Sequence, residues 1–197
     1  ILGFTKLLRK NILTDEEREE YLGIIEEEMK RLYTMANGIL NLTKVENQSI
    51  LTNVTEYNLS EQIRLTVLLL ESKWTARNIN MNIDFGEYTI NANEEMMKQV
   101  WINLLDNAIK FSPEGEEISI RISNKNEHIY VSISGKGPHI EDEEINKIFR
   151  KFYQSDSSHS TEGTGIGLAL VSRIIELHKG RIEVNSDKNI NTFTVIL

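Results

Sequence analysis

The stretch that most constrains the fold is residues 94–111, where apolar side chains recur at helical spacing, so one side of this helix must be buried. Asn103, Asn107 and Lys110 stand at i, i+4 and i+7, which places two amides and a cation on one face. Asparagine is unfavourable inside a helix because its side chain competes for backbone hydrogen bonds. An amide oxygen suits Mg²⁺ and a lysine suits phosphate, so this face predicts a binding site. Read alone, it is equally consistent with a solvated polar face.

Composition narrows the class of protein. A chain of 197 residues, 40% hydrophobic and 26% charged, is typical of a globular protein with one or two domains. A net charge of -8 argues against nucleic acid as a partner, since nucleic-acid binders are usually basic. The absence of cysteine excludes disulfides and thiol-ligated zinc, and it fits a reducing compartment. The four histidines show no metal-ligand spacing and are interpreted as surface residues: His128, His139, His159 and His178.

No apolar run has the length of a membrane span, so any contact with a membrane requires segments absent from this chain. There is no signal peptide, because a helical pattern already begins at residue 1. We therefore interpret the sequence as a piece of a longer protein.

The N-terminal part predicts two helices. Residues 1–11 form the first, and a capping box from Thr14 to Glu17 starts the second, which continues to about Asn47. The second helix carries a coiled-coil seam: Leu22, Ile25, Met29, Leu32, Ala36 and Ile39. With a short turn between them, the helices form an antiparallel hairpin. One hairpin cannot bury this seam alone, so we predict a homodimer with a four-helix bundle.

The heptad pattern stops after Asn47, which places a domain boundary within residues 48–58. Beyond it, the periodicity predicts an α+β fold: an α/β sandwich whose mixed, mostly antiparallel sheet has helices on one face. The predicted helices cover residues 59–77, 94–111, a short acidic segment from 141, and 167–178. The predicted strands cover 78–84, 89–90, 118–122, 129–133, 181–184 and 192–197. We expect the polar residues 154–162 to be mobile.

Two glycine-rich segments flank this pattern. Residues 163–168, Gly-Thr-Gly-Ile-Gly-Leu, open a helix, where backbone N–H groups can approach an anion closely. The segment is not a dinucleotide fingerprint, because no strand precedes it, and it lacks the Gly-Lys-Ser/Thr ending of a P-loop. Residues 135–140, Gly-Lys-Gly-Pro-His-Ile, follow a strand. In isolation, the first is also explained as a helix-entry turn and the second as a strand-to-helix loop.

Taken in order, these segments resemble the N, G1, F and G2 boxes of sensor histidine kinases. They are the asparagine helix, the Gly-x-Gly turn, the segment 148–153 with its three aromatic residues, the polar stretch and the second glycine segment. By this resemblance, residues 1–50 are a partial dimerisation and histidine-phosphotransfer hairpin. Residues 51–57 are a linker, and residues 58–197 are a Bergerat-type ATP-binding catalytic domain. The resemblance covers the whole chain.

The resemblance implies ATP and Mg as cofactors. Asn107 would bind the magnesium that bridges the phosphates, with Asn103 and Lys110 assisting, and residues 154–162 would close as a lid. In related ATPases, a Glu in the place of Asn103 activates water; an amide cannot act as a base, which suits transfer to a protein side chain. The implied nucleotide-binding residues are Asn103, Asn107, Lys110, Phe111, Gly135, Gly137, Ile140, Tyr153, Gly163, Thr164, Gly165, Ile166, Gly167 and Leu168. For Tyr153, as for Phe149 and Phe152, a purely core role is the alternative.

The sequence departs from the family pattern at two places. Residues 1–50 contain no histidine, so the chain is predicted to be unable to phosphorylate itself at the family's acceptor site. Gly135 stands where the family has an Asp that binds the adenine amino group, and His139 stands where a second glycine is frequent. A lost buried hydrogen bond costs about 1–3 kcal/mol of binding, and His139 is expected to crowd the backbone approach.

The resemblance implies an ATP-dependent protein-histidine kinase of a two-component system. It would donate the γ-phosphoryl group to a histidine upstream of this chain, for relay to an aspartate of a response regulator, and it would be the cytoplasmic portion of a membrane-bound sensor. One alternative is a degenerate kinase that acts as a dimeric scaffold with weak or no nucleotide binding, which Gly135 favours. The other is a Bergerat-type ATPase outside signalling, which the hairpin and the missing Glu disfavour.

Overall fold

The computed structural model describes residues 1–9, 13–154 and 163–197, which fall into two compact units, Ile1–Asn41 and Leu42–Leu197. None of the described helices combines the length and apolar composition that crossing a bilayer requires. The helices are α1 Leu2–Leu8, α2 Asp15–Glu46, α3 Leu59–Leu69, α4 Glu71–Ala76, α5 Glu94–Phe111, α6 Asp142–Ile145 and α7 Gly167–Leu177. The strands are β1 Thr55–Asn58, β2 Asn80–Asp84, β3 Thr89–Ala92, β4 Glu117–Lys125, β5 His128–Lys136, β6 Arg181–Asp187 and β7 Ile190–Ile196.

The N-terminal unit is the predicted helical hairpin. The Thr14 N–H donates to Glu17 Oε2 at 2.8 Å, and the Glu17 N–H donates to Thr14 Oγ1 at 3.2 Å, so the capping box that starts α2 is confirmed. The Phe4 and Tyr21 rings pack with centroids 5.2 Å apart, which links α1 to α2. The large seam residues of α2 remain exposed in the single chain: Leu22, Met29, Leu32 and Ile39.

The main sheet of the second unit has the strand order β2-β4-β5-β7-β6. β2 and β4 are parallel, and all other neighbours are antiparallel. Alternate residues of the central strands are buried against α5 and α7, so the predicted mostly antiparallel sheet with helices on one face is confirmed. The strand residues of this core are Ile118, Ile120, Ile122, Val131, Ile133 and Val195.

A second, two-stranded sheet was not predicted. β1 pairs with β3 in antiparallel fashion, with Thr55 opposite Ala92, and it begins inside the segment 51–57 that the sequence suggested as a linker. The Asn93 side chain also donates to the Thr52 carbonyl at 2.7 Å. The chain that leaves α2 is therefore fastened to the segment immediately before α5.

The helix predicted over residues 59–77 is interrupted. Leu70, with φ -97° and ψ 10°, separates α3 from α4. The Trp74 indole N–H donates to the Val67 carbonyl at 3.0 Å, which holds α4 against the end of α3. Because the apolar spacing continues across Leu70, the sequence pattern gave no sign of the break.

Candidate functional site

Helix α5 is fixed at its N-terminus and along one side. The Asn93 side chain caps it by accepting the Met96 N–H at 3.0 Å, and the Trp101 indole N–H donates to Gln62 Oε1 at 2.8 Å. The predicted polar face, Asn103, Asn107 and Lys110, is half-buried. The opposite face is completely covered: Met96, Met97, Val100, Trp101, Leu104, Leu105 and Ile109.

Asn103 faces the first residue of α7. Its Nδ2 donates to the Gln99 carbonyl one turn earlier at 2.7 Å, which fixes the amide. A Cβ at Gly167 would lie 2.6 Å from Asn103 Oδ1, closer than real Cβ contacts. Glycine at 167 therefore permits the start of α7 to approach the polar face of α5.

Lys110 faces the glycine-rich segment. A Cβ at Gly163 would lie 2.7 Å from Lys110 Nζ, and this Nζ is 4.8 Å from the centroid of the Phe111 ring. The Gln154 side chain donates to the Gly163 carbonyl at 2.6 Å. Gln154 and Gly163 are thus held together beside Lys110. The predicted lid itself lies outside the described residues.

Gly165 packs against the aromatic segment. Its φ is +66°, and a Cβ there would lie 2.7 Å from the backbone of Phe152, whose N–H donates to the Gly165 carbonyl at 2.8 Å. The Tyr153 hydroxyl donates to Glu144 Oε1 at 2.6 Å. Phe152 is 58% exposed, so its ring is not part of the core.

The start of α7 presents backbone N–H groups beside Asn103. The helix begins at Gly167, and the preceding Ile166 gives no side-chain cap. The N–H groups of a first helical turn have no partner within the helix, and the helix dipole favours an anion there. Ile166 is 1% exposed and belongs to the core, whereas Thr164 and Leu168 are half-buried.

The other glycine pair lies at the end of β5, beside the C-terminus of α5. A Cβ at Gly137 would lie 2.9 Å from Asn191 Nδ2 and 3.5 Å from the Phe111 carbonyl oxygen. A Cβ at Gly135 would lie 3.0 Å from Ser112 Oγ. The structure therefore brings Gly135, Gly137 and Phe111 together, as the sequence suggested.

Ile140 and His139 both bind Ser186. The Ile140 N–H donates to Ser186 Oγ at 3.0 Å, and His139 Nδ1 lies 2.9 Å from the same oxygen. His139 is exposed, so its side chain is held on β6 at the surface. Ile140 is half-buried beside it.

Asn107 fits the role of a magnesium ligand. It is half-buried, and its side chain makes no hydrogen bond to another described residue, so Oδ1 is available. Mg²⁺ in phosphate sites keeps several waters and takes few protein ligands. The described residues contain no cluster of three or more His, Cys, Asp or Glu side chains.

His178, at the end of α7, connects this helix to the start of α5. Its Nδ1 lies 2.8 Å from the Ile174 carbonyl, which can only accept, so Nδ1 carries the proton. Nε2 then accepts the Asn93 N–H at 3.1 Å. Burial lowers the pKa of His178, and the bond to Ile174 opposes this shift in part. The sequence-based interpretation of His178 as a surface residue is therefore wrong: it is half-buried and in its neutral form.

Sequence reasoning missed Ser112 and Asn191. Ser112 follows Phe111, and Asn191 is the cross-strand partner of Gly135 in the β5–β7 pair. Only the register of these strands, which the sequence does not specify, places Asn191 beside the glycines.

Comparison with known proteins shows which family has this sequence and this fold. The family model for histidine kinase-, DNA gyrase B-, and HSP90-like ATPases matches residues 92–197. The heme sensor protein HssS of Staphylococcus saprophyticus is 31% identical over 189 residues, which are 95% of this chain and 41% of HssS. The sensor histidine kinase CusS of Escherichia coli O6:H1 is 28% identical over 195 residues, which are 98% of this chain and 41% of CusS. The chain thus spans about two fifths of these relatives.

Solved structures agree. The catalytic domain of the histidine kinase ThkA superposes with a TM-score of 0.67 at 32% identity, over 74% of this chain and 95% of that domain. ThkA in complex with the response regulator protein TrrA superposes with a TM-score of 0.81 at 29% identity, over 99% of this chain and 55% of that one. The chain therefore belongs to the histidine kinase-, DNA gyrase B-, and HSP90-like ATPase family, as the ATP-binding catalytic domain of a two-component sensor histidine kinase.

Proposed function

We propose that this chain binds ATP with Mg²⁺ and positions the γ-phosphoryl group for transfer to a histidine. The observation that carries the proposal is the approach of Asn103 and Lys110 on α5 to Gly167 and Gly163 around the start of α7. The Asn103 amide and the Lys110 ammonium group therefore lie close to the backbone N–H groups that begin α7. This combination suits a polyphosphate with its metal.

Each residue has one role in this proposal. The N–H groups at the start of α7 and Lys110 bind the phosphates, and Asn107 holds the Mg²⁺, which would offset negative charge on the β- and γ-phosphates. The glycine-rich segment would contact the phosphates through its backbone rather than its side chains; its residues in this role are Gly163, Thr164, Gly165, Gly167 and Leu168. The base end of the nucleotide would lie beside Phe111, Gly135, Gly137 and Ile140. Tyr153, held by Glu144, borders the segment 155–162.

The chemistry rests on positioning and on charge stabilisation. Asn103 is an amide and cannot act as a general base, and the nearby carboxylate of α5, Asp106, is paired with Lys73 rather than placed to activate water. Phosphoryl transfer needs an aligned acceptor and stabilised charge more than covalent help from the protein. A histidine of the kinase itself is the acceptor we propose, upstream of this chain, because residues 1–50 contain none.

The parent protein would then pass the phosphoryl group to an aspartate of a response regulator, which completes a phosphorelay. ThkA, which is similar over 99% of this chain, is seen in complex with a response regulator, and this supports such a partner. We also propose that residues 1–50 form the dimerising hairpin, 51–57 the connection and 58–197 the catalytic domain. The parent is proposed to be a membrane-bound sensor with this part in the cytoplasm.

Calorimetric titration tests the proposal. We expect the chain to bind a non-hydrolysable ATP analogue with Mg²⁺ at micromolar to submillimolar strength. Lys110→Met removes a charge from the phosphate end and is expected to weaken this binding about tenfold or more, while adenosine binding stays unchanged. Lys98→Met is the matched control, because Lys98 lies on the same helix but is exposed.

Equal losses in both lysine variants would contradict the assigned phosphate end. Absence of any nucleotide binding, with the fold intact by circular dichroism, would instead support the dimeric scaffold. Incubation with labelled ATP is expected to leave this chain unlabelled, whereas an N-terminally extended parent chain gains acid-labile phosphate.

A further inference from the structure

The turn formed by residues 137–140 is hydrogen-bonded to the hairpin of β6 and β7 along its whole length. The Gly137 N–H donates to the Asn189 carbonyl at 2.8 Å, and the Asn191 side chain donates to the Pro138 carbonyl at 2.8 Å. A Cβ at Gly137 would lie 2.9 Å from Asn191 Nδ2, so the two segments are in direct contact. The hairpin therefore fixes the first half of the turn.

The second half of the turn is held by one hydroxyl group. Ser186 on β6 accepts the Ile140 N–H at 3.0 Å, and its Oγ lies 2.9 Å from His139 Nδ1. A hydroxyl can accept one hydrogen bond and donate another, so the Ser186 side chain can bind both residues at once. His139 Nε2 lies 3.9 Å from Glu141 Oε2, and the His139 side chain is 44% exposed. The imidazole is thus held beside β6 at the surface.

The position of this imidazole matters because of what the turn faces. Gly137 packs against the end of α5, where a Cβ would lie 3.5 Å from the Phe111 carbonyl oxygen. We place the base end of the nucleotide beside this contact and beside Ile140. An imidazole released from its bond would gain rotamers that point over the turn and obstruct the approach of a ligand. Such a ring would also have to be ordered again when the ligand binds, which costs affinity.

We propose that Ser186 is a positioning residue for the nucleotide site, which acts by holding the imidazole of His139 away from the turn. The expectation that His139 crowds the backbone approach took no account of a partner on β6. Ser186 acts through residues 139 and 140 and does not itself contact the nucleotide. This inference rests on the proposed function, because it takes the turn 137–140 as part of the nucleotide site.

Two substitutions of His139 test the role of its ring. His139→Phe keeps a ring but has no nitrogen that can bind Ser186, and it is expected to weaken binding of the ATP analogue with Mg²⁺ about threefold to tenfold in calorimetric titrations. His139→Gly removes the ring and is expected to bind the analogue at least as tightly as the wild type. Magnesium tripolyphosphate, which has no base, is expected to bind all three proteins equally, whereas a general loss of structure would weaken both ligands.

Ser186→Ala tests the same bond from its other side. It is expected to weaken binding of the analogue as much as His139→Phe does, whereas Ser186→Thr retains the hydroxyl and stays within about twofold of the wild type. Added to His139→Gly, Ser186→Ala is expected to cost less than about twofold, because no ring is left to hold. Ser132→Ala is the matched control, since it removes an equally half-buried hydroxyl, bonded to Thr194 at 3.1 Å, from the middle of β5.

Wild-type affinity in His139→Phe overturns the inference, as does the same loss in His139→Gly or a loss that extends to magnesium tripolyphosphate. Equal losses from Ser186→Ala with and without His139→Gly also overturn it. In each case binding of the analogue by the wild type leaves the proposed function intact, whereas a wild type that binds no nucleotide removes both. If Ser186→Ala does not fold, the comparison of His139→Phe with His139→Gly decides, because residue 139 is exposed.

Discussion

Three glycines set how closely the elements of the site approach. A Cβ at Gly167 would meet Asn103 Oδ1 at 2.6 Å, and one at Gly163 would meet Lys110 Nζ at 2.7 Å. The lysine ammonium sits at the end of a flexible chain and can move, whereas the Asn103 amide is held by the Gln99 carbonyl. Gly167 is therefore the position where a side chain would most directly separate α5 from α7. At Gly135 the neighbours are looser, at 3.0 and 3.3 Å.

Gly135→Asp is expected to tighten ATP binding. The 6-amino group of adenine has two N–H donors, and a carboxylate at 135 would accept one of them. The new Cβ crowds Ser112 Oγ, so Gly135→Ala serves as the control for crowding alone. We expect the Asp variant to bind ATP about tenfold more tightly than the Ala variant in calorimetric titrations. Equal or weaker binding would show that residue 135 does not face the base.

At the scale of elements, α5 and α7 contact each other at two places. The C-terminus of α7 is hydrogen-bonded to the start of α5, and the start of α7 packs against Asn103 in the middle of α5. His178 at the C-terminus of α7 accepts the N–H of Asn93, the residue that caps α5. This bond requires neutral imidazole, since a protonated Nε2 would present a second donor to the Asn93 N–H. The relative position of the two helices thus depends on one titratable group.

The pKa of His178 is lowered by burial, below the ordinary value of 6.5. Its contribution to stability is therefore complete above about pH 6.5 and is lost as the pH falls through the lower, folded-state pKa. We expect the free energy of unfolding, from urea denaturation between pH 7.5 and 5.5, to fall more steeply for wild type than for His178→Gln. His128→Gln, at an exposed histidine, keeps the wild-type slope. Parallel curves for wild type and His178→Gln would count against this linkage.

At the scale of the whole molecule, the apolar seam of α2 is left without cover. Leu22, Met29 and Leu32 are 45%, 54% and 52% exposed in the single chain, although their spacing is that of a coiled-coil interior. Covering them requires another helical surface. A second copy of this hairpin supplies one with the same spacing.

We therefore expect a homodimer in sedimentation experiments. Replacing Leu22, Met29 and Leu32 by Gln is expected to give a monomer, because the apolar area buried between the helices is removed. Leu65→Gln, at a leucine that is 56% exposed on α3, is the matched control and remains dimeric. A wild-type chain that is strictly monomeric at high concentration would contradict the prediction.

Much of this fold could be predicted from local sequence signals, whereas the pairing of strands that are distant in sequence could not. The bounds of α5 follow from a capping asparagine and one amphipathic period, and the structure has the helix over Glu94–Phe111 as predicted. The β1–β3 pair joins residues more than thirty positions apart, and the sequence of neither strand indicates which other strand it pairs with. The local spacing of α5 is also enough to propose Asn103 and Lys110 as site residues. The position of Asn191 beside Gly137 could not be predicted in this way, because it depends on the register between β5 and β7.

The pairing of β1 with β3 also defines a mechanical load path. Tension along residues 47–54 is first borne by the hydrogen bond from Arg173 on α7 to the Gln48 carbonyl, then by the bond from Asn93 to the Thr52 carbonyl, and then by the four strand pairs that start at Thr55 and Ala92. Ala92 and Asn93 are the last two residues before α5. A pull on the end of α2 is therefore passed to α7 through Gln48 and to the start of α5, the helix that carries Asn103, Asn107 and Lys110, through Thr52.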